Sequence, residues 1–515
     1  MTQFPLIEGR NGAVGTANAT SAEVGLEILK QGGNAVDAGV AMVFSLGVTD
    51  PERVSFGGEM PALIYPAKKK KVVVVAGQGP APKAYGIEPT DWTAAVPGQF
   101  DACLVALDSY GTLRAADVLE PTIRLAEKEG APSHAWLGDL ARTLRAICQT
   151  EKRGRQGRES GIRAARDYFY RGPVARAIVQ FSREHGGIFT EGDFAGYSAK
   201  IESPVHITYR GYDVYKVGPW TQGPALLEAL NILEGFDLNS MGHNSPQYIH
   251  TVTSALALAF ADRDTFYGDP DFCHIPLMEL LSKEYAAARR TLITVTALRE
   301  APPGDPERLV AIHPGGDPRS SSRPSETRDT AACVAIDRQR NIFCATPSGW
   351  GSDIPMGDTG IVLSTRLVSF WPRAAHPNSP ARGKRPRITL SPTLVLKDGQ
   401  PFLAISVAGG DKQDQTTPNI LLNIIEFGMN PQQAAEAPRV STLHHTDSFS
   451  PGGIVGKGTL DIEEGVPVET LCALEAMGYT LGKGSGSRPV VMLNKPIEGI
   501  VQLGAREVHP GVMAW

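Results

Sequence analysis

The chain is short of cysteine, has no long apolar run and carries no excess of basic charge. Six cysteines (Cys103, Cys148, Cys273, Cys333, Cys344 and Cys472) are spread over 515 residues without CxxC spacing. That excludes a disulfide framework or a zinc-finger pattern and leaves a reducing cytoplasm as the expected compartment. No stretch approaches the ~20 apolar residues of a membrane span, and the first ten residues lack the basic-then-apolar order of a secretory signal. The formal net charge is −5 and the pI is near 6.2, so no basic field points to nucleic acid or an anionic membrane. The one basic run, Lys68-Lys69-Lys70-Lys71, lies between two apolar strings and reads as a solvated hairpin turn.

With 42% hydrophobic and 20% charged residues, the composition is that of an ordinary globular protein. Residues 19–47 read as a helical hairpin. Thr20 or Ser21 caps the first helix, Gly32-Gly33 ends it, and Asn34 caps a second helix that is apolar nearly all round. Further helices are expected over 114–129, 135–150, 173–185, 224–234, 246–262 and 276–291. From 292 to 329 the chain is rich in Pro, Gly, Ser and Arg, which marks an exposed linker. Strands follow at 331–336, 342–346, 360–363, 388–396 and 401–408, with helices near 416–427 and 466–477.

The linker runs straight into Asp329-Thr330, and Ala331 to Ile336 then opens a β-hairpin that returns through Ile342-Phe343-Cys344-Ala345. A threonine at a strand opening is ordinarily just a β-former. Freed by a cut before it, Thr330 would gain an α-amine able to act as the base for its own hydroxyl.

Several strings in this order then carry a resemblance. Gly32-Gly33-Asn34-Ala35-Val36-Asp37-Ala38, Ser55-Phe56-Gly57-Gly58-Glu59-Met60, Ala95-Val96-Pro97-Gly98, Gly383-Lys384-Arg385-Pro386, Leu390-Ser391-Pro392-Thr393 and Ala437-Pro438-Arg439 resemble motifs of the γ-glutamyltransferase family. The resemblance spans nearly the whole chain. It implies an α+β, N-terminal-nucleophile hydrolase fold: a four-layer αββα sandwich made as one precursor and cut by its own threonine. Residues 1–329 would form the large fragment and residues 330–515 the small one, beginning with Thr330. It places Ser348 as the hydroxyl that orients the nucleophile and Gly409-Gly410 as the oxyanion loop. Expected partners are a small-molecule amide and the chain's own two fragments, with further pairing of heterodimers left open. No cofactor or metal is expected.

The amino-acid anchors of the family are changed. Gln78 stands at the place of its carboxylate-binding arginine, Thr389 within its Ser-Ser pair, and Trp350 at its ammonium-binding asparagine. Arg366 and Ser369 stand where it has a glutamine and an aspartate. Removing a bidentate arginine and a counter-charge takes several kcal/mol from binding a zwitterionic acyl group. The expectation is an amidohydrolase with another acyl specificity, like the divergent members that include oxamate amidohydrolases and cephalosporin-type acylases. A true γ-glutamyl hydrolase or transferase with rearranged anchors is the alternative. An unprocessed homologue that acts by binding alone is another. Arg366 reads either as a clamp for a substrate carboxylate or as a solvent-exposed strand-edge residue. Gln413 and Gln415 read as lining the acyl pocket or capping a helix, Arg385 and Arg387 as structural, and His444-His445 as surface histidines.

Overall fold

The computed structural model describes residues 2–86, 91–129, 134–153, 157–312, 330–349, 351–373, 375–450, 453–484, 487–506 and 511–515, without the side chains of 351–353. Asp329 and Trp350 lie outside the described residues.

Two seven-stranded antiparallel sheets lie face to face. In spatial order the first contains Gly511–Ala514, Gly12–Thr16, Cys333–Asp337, Ile342–Ala345, Met60–Tyr65, Val73–Gly77 and Lys200–Glu202. The second contains Ile7–Gly9, Ile500–Ala505, Arg488–Lys495, Gln400–Ala408, Thr393–Lys397, Tyr212–Lys216 and Val205–Tyr209. Because side chains alternate along a strand, each strand serves two cores. Val334, Ile336, Ile342 and Cys344 point inward to meet Ala404, Val490 and Met492 of the facing sheet. Their neighbours Cys333, Ala335, Phe343 and Ala345 point outward onto one helical layer. Leu403, Ile405, Val407 and Val491 point outward onto the other. Burial on both faces explains why these strands read as continuous apolar runs rather than alternating ones. The result is the four-layer αββα arrangement expected.

Local chemistry sets most element ends where the sequence places them. Asn34 accepts from the backbone N–H groups of Val36 and Asp37, and Asp37 reciprocates on the Asn34 N–H at 2.8 Å, closing a capping box for Ala35–Thr49. Lys68 to Lys71 form the exposed turn between Met60–Tyr65 and Val73–Gly77. Other ends differ. The first helix, Ala19–Lys30, is capped by Asn18 rather than Thr20 or Ser21, its side chain accepting from Ser21 N at 3.2 Å. The helix expected over 276–291 is two, Leu277–Leu280 and Lys283–Arg290, because Ser282 caps the second. The start of the expected exposed linker is packed: Gly304 N donates to the buried Asp262 at 2.7 Å. The expected strand over 388–396 begins only at Thr393. Cys333 and Cys344 do not face each other, since Cys333 pairs with Ala345 and Val334 with Cys344. All six cysteines are free. Among the described residues no helix is long and apolar enough to cross a membrane.

Candidate active site

Strand register gathers the predicted residues at one end of the two sheets. The hairpin pairs Cys333 with Ala345, and one step further out Ala331 N donates to Pro347 O at 3.0 Å. Thr330 and Ser348 therefore stand opposite each other where the ladder ends. On its other side Ser348 exchanges both backbone hydrogen bonds with Glu59, each 2.9 Å. Met60 pairs with Gly77 on the next strand, so Gln78 follows at the same edge. Thr330, Ser348, Glu59 and Gln78 thus form a row across four strands.

The second sheet completes the site from the opposite layer. Cys344 Sγ contacts Ile405 O at 3.4 Å, and Thr346 Oγ1 meets Ser406 Oγ at 3.4 Å, so the Ile342 and Gln400 strands run in the same direction across the interface. The Cys333 strand runs the opposite way and touches Ser406 through Cys333 N. Its beginning at Thr330 and the end of the Gln400 strand, where Gly409 and Gly410 follow, consequently converge. Thr393 pairs with Ile405, which brings the preceding Thr389 and Ser391 to the same end.

Both loop glycines adopt backbone that side chains rarely tolerate, with φ of 140° at Gly409 and 55° at Gly410. A buried network that sequence reading missed holds this loop. Gln222 Nε2 donates to Gly410 O at 3.3 Å, and Arg263 Nη1 donates to Gln222 Oε1 at 2.9 Å. Arg263 also pairs with Asp411. Burial alone would push the Asp411 carboxyl up; Arg263 and His445 outweigh it and hold it down at about 2. Behind the loop, Lys216 Nζ lies 2.7 Å from Asp414 Oδ1 with both side chains fully buried, and it also donates to Ser391 O at 2.9 Å and Thr393 Oγ1 at 2.8 Å. Burial pushes the Lys216 ammonium down and the Asp414 carboxyl up.

Arg366 is not at a solvent-exposed strand edge: it is 0% exposed. The strand Val362–Ser364 is held by Ser364 N donating to Gly57 O at 3.2 Å, and the 3-10 turn Arg366–Ser369 then folds the side chain inward. Its Nε donates to Glu59 Oε1 at 2.5 Å and its Nη2 to Ser348 Oγ at 2.7 Å. Ser364 Oγ adds a bond to the same carboxylate oxygen at 3.2 Å. Arg366 Nη1 is buried with no hydrogen-bond partner, as are Gln78 Oε1, Ser369 Oγ, Thr389 Oγ1 and Gln413 Nε2. Every described candidate for substrate contact thus keeps one unsatisfied polar atom, the kind of group that a bound polar ligand satisfies.

Gln413 and Gln415 are both buried and act as internal braces rather than caps, Gln413 Oε1 accepting from Ser391 N at 3.1 Å and Gln415 Oε1 from Thr442 N at 2.8 Å. Gln78 also lines a cavity of 250 Å³ with Val96, Tyr197 and Arg385. Arg385 bonds Asp269 at 2.8 Å and Arg387 bonds Arg263 O at 3.0 Å, internal contacts of the kind a structural arginine makes. His444 and His445 are buried, not at the surface, and burial pushes His444 down to about 4. Among the described residues no group of three His, Cys, Asp or Glu side chains is placed to hold a metal.

The row is tightly packed at Gly58, next to Glu59: a Cβ there would lie 1.9 Å from Ser348 O. Gly58→Ala should therefore push Ser348 off its strand and destabilise the fold by about 1–3 kcal/mol. An unchanged urea midpoint would contradict this contact.

The family model described as gamma-glutamyltranspeptidase matches residues 21–138 and 135–496. The chain is 28% identical to the glutathione hydrolase proenzyme of Escherichia coli, across 95% of this chain and 89% of that one. It is 32% identical to the glutathione hydrolase-like YwrD proenzyme of Bacillus subtilis, across 81% and 82%. The crystal structure of a cephalosporin acylase from Bacillus halodurans superposes with a TM-score of 0.82 at 29% identity, covering 100% of this chain and 98% of that one. The layered sheets are those of an N-terminal-nucleophile hydrolase, and the family match extends over both candidate fragments. This chain is an enzyme of the gamma-glutamyltranspeptidase family.

Proposed function

We propose that the chain is a self-processing amidohydrolase that uses Thr330 as an N-terminal nucleophile and an acyl group other than γ-glutamyl. The observation that carries the reading is the register that brings Thr330, Ser348 and the Gly409-Gly410 turn to one end of the facing sheets. In the precursor the Thr330 hydroxyl attacks the Asp329 carbonyl, the acyl group shifts from nitrogen to oxygen, and water hydrolyses the resulting ester. This releases the α-amine. In the mature enzyme that amine takes the hydroxyl proton as Thr330 Oγ attacks the substrate amide. Backbone N–H groups of the glycine turn receive the developing oxyanion, a contribution of about 3 kcal/mol per donor. The amine returns the proton to the departing nitrogen, and water then cleaves the acyl-enzyme ester. The word proenzyme in the names of the relatives supports processing.

The altered anchors support the change of acyl group. Ser369 offers a hydroxyl where the family has a carboxylate, and Gln78 an amide where it has a guanidinium. Gln78, Thr389 and Gln413 supply neutral polar atoms around the acyl part, and Arg366 Nη1 adds one cationic donor. The six free cysteines support a reducing compartment.

Glutaryl p-nitroanilide and γ-glutamyl p-nitroanilide differ only by the α-ammonium, so their comparison tests that group alone. The glutaryl compound should be favoured at least about 10-fold in kcat/KM, the factor that corresponds to about 1.4 kcal/mol. A preference for the γ-glutamyl compound would overturn the specificity argument while leaving the nucleophile untouched.

A further inference from the structure

We propose that Glu59 is a positioning residue for the nucleophile, acting through Arg366 and Ser348; this rests on the reading of Thr330 given above. The geometry is a closed ring. Glu59 and Ser348 exchange two backbone hydrogen bonds at 2.9 Å. From the Ser348 hydroxyl the ring runs 2.7 Å to Arg366 Nη2, and from Arg366 Nε 2.5 Å back to Glu59 Oε1. Ser364 Oγ, 3.2 Å away, braces the carboxylate.

A guanidinium can only donate. Ser348 Oγ therefore accepts from Arg366, and its own proton must point elsewhere. Across the hairpin from Ser348 stands Thr330. The ring thus sets the Ser348 hydroxyl as a donor toward the nucleophilic residue, and Glu59 fixes the plane and charge of the guanidinium that enforces this. The three side chains are 2% exposed or less.

Stability alone is a poor account of such a pair. A buried ion pair pays for its own desolvation and can commonly be replaced by neutral residues without loss, whereas removing one partner strands a buried charge. The pair is also joined to the Ser348 hydroxyl, across the hairpin from Thr330. Glu59 has no sequence signal of its own beyond being an acid inside an apolar string.

The test is a time course of precursor cleavage in cell-free translation, read on a denaturing gel, for wild type, Glu59→Gln, Ser348→Ala, Glu59→Gln/Ser348→Ala and the double neutral variant Glu59→Gln/Arg366→Met. The last leaves no unpaired charge, so it should melt within a few degrees of wild type when both are compared as uncut Thr330→Ala chains. It should nevertheless cleave at least 10-fold more slowly. The mature fraction of Glu59→Gln, which keeps Arg366, should lose at least about 10-fold in kcat on glutaryl p-nitroanilide with KM within about 2-fold, and that of the double neutral variant should turn over more slowly than wild type. If Glu59 acts through Ser348, Glu59→Gln should add no further slowing once Ser348→Ala is present. A double neutral variant that cleaves and turns over like wild type, or that does not fold, overturns the proposal, as do Glu59 and Ser348 effects that multiply. A wild-type chain that never cleaves would instead sink the Thr330 reading on which the proposal rests.

Discussion

Thr330→Ala should run as one 55.0 kDa chain on a denaturing gel and turn over no amide that the wild type hydrolyses. The substitution removes the only atom proposed to attack the Asp329 carbonyl. Without that cut no α-amine forms, so the base is lost together with the nucleophile. Losing a nucleophile that acts as a unit with its base costs at least about 10⁴-fold in turnover. Thr330→Ser, which keeps the hydroxyl and loses only the methyl that restrains its rotamer, should still cleave, though more slowly. Cleavage at the same bond in Thr330→Ala would remove the nucleophile assignment.

Lys216→Met should destabilise the uncut Thr330→Ala chain by about 3–5 kcal/mol near neutral pH, because Asp414 stays buried without its ammonium partner. The loss should depend on pH in a definite direction. Burial already pushes the Asp414 carboxyl up, and without Lys216 it keeps a proton in the folded state that the unfolded chain releases above about pH 4. The folded state then binds more protons than the unfolded one, so stability falls as pH rises. The slope approaches about 1.4 kcal/mol per pH unit between the unfolded pKa and the raised folded one. Urea unfolding at pH 5 and pH 7 measures this. Lys216→Met/Asp414→Leu should recover most of the loss at both values, and a single variant with the same stability at both would refute the coupling. The effect reaches the site directly, since Lys216 also holds Ser391 O and Thr393 Oγ1 behind the glycine turn.

What could be read from residues alone followed from how local the cause is. Asn34 and Asp37 cap a helix within four residues, so that end was legible. The hairpin from Ala331 to Ala345 was legible because its turn and strands are contiguous, and Thr330, Ser348 and the two glycines are carried by short strings. Glu59 sits inside one of those strings, but its partner Arg366 lies 307 positions away, and no periodicity connects the two. The solvent-exposed reading of Arg366 fails for a related reason: the 3-10 turn that folds it inward follows a strand held by the Gly57 backbone, not by its own neighbours. His444 and His445 look like loop residues, and only the surrounding layers bury them. Arg263 and Gln222 are likewise remote in sequence from the Gly410 carbonyl they support.

The strand order also decides what a cut before Thr330 would leave behind. Gly12–Thr16 is inserted between Gly511–Ala514 and Cys333–Asp337. In the other sheet Tyr212–Lys216 completes Thr393–Lys397, while Ile7–Gly9 edges Ile500–Ala505. Each fragment therefore supplies strands that the other needs in both sheets. The products would be interlocked halves with no face at which to part, like a garment cut along one thread of a weave that still holds. Hydrolysis of the bond would free a terminus without freeing a subunit, and separating the fragments would require unfolding them.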